Sequence, residues 1–67
     1  MRGKILEAVK SHAQGHIDKH LANIEVYLSN PVGVGEHPDI IEAIETELEE
    51  VAKYQDQLDL INQYFPR

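Results

Sequence analysis

Apolar residues recur along the first part of the chain at Leu6, Val9, Ala13, Ile17, Leu21, Ile24 and Leu28, in steps of three and four. That is the period of a helix with one apolar side, not the alternation of a strand. Ile5 and Tyr27 lie beside the stripe, while Lys4, Glu7, Ser11, Gln14, Asp18 and Glu25 fall opposite it. The pattern predicts a helix over about 3–29. Gly15 in its middle costs about 1 kcal/mol relative to alanine. It is either a tolerated weak point or a place where another helix comes close.

Ser29-Asn30-Pro31 ends this segment, because proline disfavours helical geometry in the residue before it. Val32-Gly33-Val34-Gly35-Glu36-His37 then forms a loop over 30–37, and Pro38 suits a first helical position with His37 as its cap. Asp39 and Glu42 place negative charge in the first turn, where the helix dipole favours it. From there a heptad runs to about residue 65. Ile44, Val51, Leu58 and Phe65 hold one core position, and Ile40, Glu47, Tyr54 and Ile61 hold the other. Ile41 and Leu48 widen that stripe.

The expected fold is therefore all-α: an antiparallel hairpin of two helices, about 3–29 and 38–65, each roughly 40 Å long. It forms a single domain over 1–67. If Ser29 and Pro38 face each other, residues whose numbers sum to about 67 lie level. Leu6 then sits near Ile61, Val9 near Leu58, Ala13 near Tyr54 and Ile24 near Ala43. His20 comes level with Glu47.

His12, His16 and His20 follow one another at intervals of four, along one side of the first helix. His20 lies within the apolar stripe, His16 at its margin and His12 beside it. Glu47 is the one acid in the core register of the second helix. Two polar residues at one level of two apolar seams point to a buried polar layer, an imidazole against a carboxylate. Such layers fix register and oligomer state at some cost in stability. The alternative is a metal site from His16, His20 and Glu47, completed by symmetry between chains. Three histidines of one helix cannot share one ion, since His12 and His20 are about 12 Å apart along the axis.

Composition changes the picture in one respect. For a chain of 67 residues, apolar burial and the entropy of ordering are each worth about 100 kcal/mol and nearly cancel. There is no cysteine to add a disulfide. Self-association is the remaining way to bury more apolar surface, so the hairpin is expected to form a helical bundle. A homodimer of four helices is the first arrangement and a trimer the second. The expected core and oligomer seam is Leu6, Val9, Ala13, Ile17, Ile24, Ile44, Val51, Leu58 and Ile61.

Charge narrows the partners. Residues 1–35 carry four basic against three acidic side chains, and residues 36–67 carry two against nine. A net charge of −6 repels phosphate backbones, which argues against nucleic acid. The ridge of Glu42, Glu45, Glu49 and Asp56 is a solvated face or a surface for a basic protein partner. Nothing approaches a membrane span, and the start lacks the apolar core of a signal peptide.

Other motifs are weak. Gly33-x-Gly35 lacks the preceding strand and the following Lys-Ser/Thr of a phosphate loop, and no cofactor is implied. The alternative to His37 as a cap is that Glu36 and His37 present a contact surface at the loop tip; Val32 and Val34 are expected to cap the bundle end or fit a neighbouring chain. No nucleophile stands with a base, so no catalytic residue is assigned and no enzyme is expected.

Gly3-Lys4-Ile5-Leu6-Glu7-Ala8, together with Val32-Gly33-Val34-Gly35-Glu36-His37-Pro38-Asp39-Ile40-Ile41-Glu42-Ala43-Ile44, resembles small helical proteins of marine tailed bacteriophages, cyanophages among them, and of marine metagenomes. The likeness spans most of the chain and is most specific at the glycine turn. That family carries no established activity, so no residue's role transfers. The resemblance implies a viral or marine microbial source, and a role in virion assembly or in adapting host machinery. The expected location is cytoplasmic, in the host cell if the chain is phage-encoded.

Overall fold

The computed structural model describes residues 1–29 and 39–66 as two packed helices, α1 (Arg2–Ser29) and α2 (Ile40–Tyr64). The expected loop at 30–37, with Val32, Gly33, Val34 and Gly35, lies outside the described residues, and so do His37 and Pro38. Among the described residues there is no strand, and no helix is long and apolar enough to cross a membrane. The helices run antiparallel: the Arg2 guanidinium lies 5.8 Å from the centre of the Phe65 ring, and His20 meets Glu47.

The start of α2 is set by Asp39. Its carboxylate Oδ1 accepts the backbone N–H of Glu42 at 2.9 Å, which satisfies one donor the first turn leaves open. Asp39 therefore takes the capping role expected of His37. An ionised carboxylate at this end also suits the helix dipole. At the other end the Phe65 N–H donates to the carbonyl of Ile61 at 2.8 Å, and Pro66 follows.

In α2 the shielded residues are those of the heptad. Ile40, Ile44, Glu47, Val51, Tyr54 and Leu58 are half-buried and Ile61 is buried. Phe65, the next in the series, is 45% exposed. In α1 the seam runs Leu6, Lys10, Ala13, Ile17, His20, Ile24, Tyr27, in alternating steps of four and three. Ala13 and Ile17 are buried there and the others are half-buried.

Val9 is a correction. It is 41% exposed, because the strict step from Leu6 falls on Lys10 instead. A lysine can occupy a seam by laying its methylene stem along it and sending the ammonium to water. Leu21, Leu28, Ile41 and Leu48 are exposed on the opposite flank: each stands one residue past a seam position, where Val9 stands one before. The core is small. Ala13, Ile17 and Ile61 are the only buried apolar residues described, and no large side chain is fully enclosed. A Cβ added at Gly15 would meet nothing within 4 Å, so no helix of the same chain approaches that glycine.

Candidate functional site

The middle of the seam holds three polar side chains in one layer. His20 donates through Nδ1 to Oε2 of Glu47. Asn23, one turn further along α1, donates through Nδ2 to Oε1 of the same carboxylate at 3.1 Å. Both oxygens of Glu47 are thus engaged by the facing helix. The His20 and Glu47 side chains are only 13% and 15% exposed, so water competes weakly for the pair. Asn23 was not legible beforehand. Its one signal is the interval of three from His20, which puts it on the same side of α1.

His16 and His12 continue the strip toward the open end. The His16 ring stacks on Tyr54 with centres 4.3 Å apart and an interplanar angle of 10°. His12 meets His16 edge-on at 4.5 Å and approaches Tyr54 at 6.2 Å. His16 Nδ1 is shielded and has no hydrogen-bond partner among the described residues. Burial lowers the His16 pKa below 6.5, and the positive charge available to His12, Lys19, His20 and Lys53 lowers it further. Neutral imidazole is the favoured form in this stack.

Beside it Lys53 donates to Glu50 at 2.8 Å, an i,i+3 pair on α2, with its ammonium 4.7 Å from the Tyr54 ring centre. That hydrogen bond lowers the Glu50 pKa and raises that of Lys53. At the far end, the contact with Asp39 holds the Glu42 carboxyl above its usual range.

The ligand set His16, His20 and Glu47 is not gathered around one point: Glu47 is occupied by His20 and Asn23, and His16 faces Tyr54. Among the described residues no three His, Cys, Asp or Glu side chains are placed to hold a metal ion. A histidine oriented by a carboxylate is the supporting half of a nucleophile-activating arrangement. Among the described residues no serine or threonine hydroxyl bonds to His20 or Glu47. The dent lined by Ser11, His12, Gly15, His16 and Lys19 is shallow and open. What the layer does physically is match one level of α1 to one level of α2. A shift of the helices along each other leaves a half-buried carboxylate without its donors.

Comparison with known proteins returns no relative: no family model, no curated protein and no solved structure matches this chain. The structure defines two packed antiparallel helices with a shielded polar layer between them.

Proposed function

We propose that the hairpin is a non-enzymatic structural and interaction module whose working form is an assembly of copies of itself. The observation that carries this reading is the mismatch between core and surface. Among the described residues three apolar side chains are buried, while Ile5, Leu21, Leu28, Ile41, Leu48 and Tyr64, among others, are 45–70% exposed. A core of that size does not offset the entropy of ordering a chain this long. The exposed apolar residues supply what is missing if another chain covers them.

The His20–Glu47–Asn23 layer suits such a module. It holds the two helices in one register and so presents the outer residues in a fixed pattern. The phage resemblance gives the setting of the proposal: a small part of a virion, or of the machinery a phage adapts, in the cytoplasm of its host. The test is thermal unfolding followed by circular dichroism over a hundredfold range of chain concentration. The reading expects the midpoint to rise with concentration. A midpoint independent of concentration contradicts it.

A further inference from the structure

The two flanks of the hairpin can be told apart by a simple rule. In an antiparallel pair, residues that immediately precede a seam position fall on one flank of both helices, and those that follow it fall on the other. The contacts agree. His12 and His16 precede Ala13 and Ile17, and they lie against Tyr54 and beside Lys53 and Glu50, which precede Tyr54 and Val51.

On the following flank, near the loop, Leu21, Leu28, Ile41 and Leu48 are 45–70% exposed. On the preceding flank, at the open end, Ile5, Val9, Leu60 and Tyr64 are 41–64% exposed. Each group leaves about 450 Å² of residue surface in water, the size of the largest apolar patch on a typical monomer, which is often functional.

Their electrostatic surroundings differ: acidic on the loop side, mixed at the open end. The loop-side group is bordered by Asp18, Glu25 and Glu45. Between residues 20 and 52 the chain has eight acidic residues and no lysine or arginine. All six basic residues lie in 1–19 and 53–67, against four acidic ones. At the open end Arg2 and Lys53, the latter paired with Glu50, flank the apolar group together with His12, and Asp56 is the acid next to Leu60.

We propose that the loop-side patch of one chain docks on the open-end patch of a second copy, head to tail. The inference rests on the self-association reading and specifies its contact. Two loop-side patches laid face to face would set Asp18, Glu25 and Glu45 against their own copies, which like-charge repulsion disfavours. Joining unlike patches buries about 900 Å² of residue surface, and the charged rims bring the contact to the roughly 1,000 Å² a specific interface needs. The patches face opposite ways at opposite ends of a body 49 Å long. The docked copy is therefore displaced along its neighbour. Such a heterologous contact does not stop at two chains: it closes into a ring or grows.

Two double variants test this, one of each patch: Ile41→Gln with Leu48→Gln, and Ile5→Gln with Leu60→Gln. Each alone should fail to assemble, since each lacks one half of the contact. Mixed in equal amounts, they should form one hybrid contact and give particles of two chains, twice 7.6 kDa, that do not grow with concentration. If a variant unfolds when alone, mixing should restore its helical signal. Raising salt from about 0.05 M to about 0.5 M should weaken the wild-type assembly. The proposal is overturned if the mixture stays inert, if the open-end variant assembles like wild type, or if salt tightens the assembly. A wild-type chain that is monomeric at every concentration sinks the self-association reading itself.

Discussion

His20 and Glu47 divide the hairpin into an open-end half and a loop-side half, and the two differ in packing and charge. Ala13, Ile17 and Ile61, the buried residues, all lie toward the open end; on the loop side no described residue is buried. The open end carries both signs of charge, while the loop side carries only acids. Both halves expose apolar side chains, but only the open-end half also buries some, and only the loop-side patch is rimmed by acids alone. The difference teaches that the polar layer is a boundary between a part with a buried core and a part whose described residues are at most half-buried.

The largest expected effect is on the packed half. Ile17→Ala, at a residue 4% exposed, should cost about 3 kcal/mol of stability in chemical denaturation. Ile24→Ala, on the other side of the layer and half-buried, should cost about 1 kcal/mol in dilute protein, and more as assembly covers it. Equal losses at every concentration would erase the contrast between the halves.

Next in size is the boundary itself. Glu47→Ala leaves His20 and Asn23 without their acceptor and should cost about 2 kcal/mol. Replacing His20 and Glu47 together by leucine should recover that loss or better it, while freeing the register. The recovery is read in the unfolding midpoint. The freed register is read as a spread of distances between spin labels placed on exposed sites of α1 and α2. A double variant as damaged as Glu47→Ala would mean the layer contributes stability and not register.

Gly15→Ala is a smaller change of opposite sign. With open space at that Cβ, the substitution should raise stability by about 1 kcal/mol through helix propensity. A loss instead would place another chain against the open half. The smallest effect is with pH. His16 binds a proton less readily folded than unfolded, so the unfolded chain takes up more protons on acidification. Its contribution is therefore complete above an ordinary histidine pKa and is lost as pH falls through about 6.5. Between about pH 7 and pH 5.5 the midpoint should drop more steeply for wild type than for His16→Gln.

Much of this was legible from residue order, for reasons that differ between the helices. In α2 the apolar residues and the seam coincide, so the heptad through Ile44, Val51 and Leu58 could be read directly. In α1 they do not coincide. Lys10 and His20 occupy seam positions, while Val9, Leu21 and Leu28 stand one step outside, so the most apolar stripe drifts off the true seam. The His20–Glu47 pairing was legible because each interrupts an apolar series at the same level. Asn23 interrupts nothing, and Tyr54 looked like ordinary core. Neither could be placed before α1 and α2 were set against each other. The two unlike patches needed both the seam register and the exposures.

The most direct test of the central claim is the solution mass of tag-free protein by light scattering, over a range of concentrations, with and without EDTA. The account predicts a mass that rises in multiples of 7.6 kDa and is indifferent to the chelator. A mass of one chain at every concentration would contradict it, and so would an assembly that falls apart in EDTA, which would make ligands of the histidines.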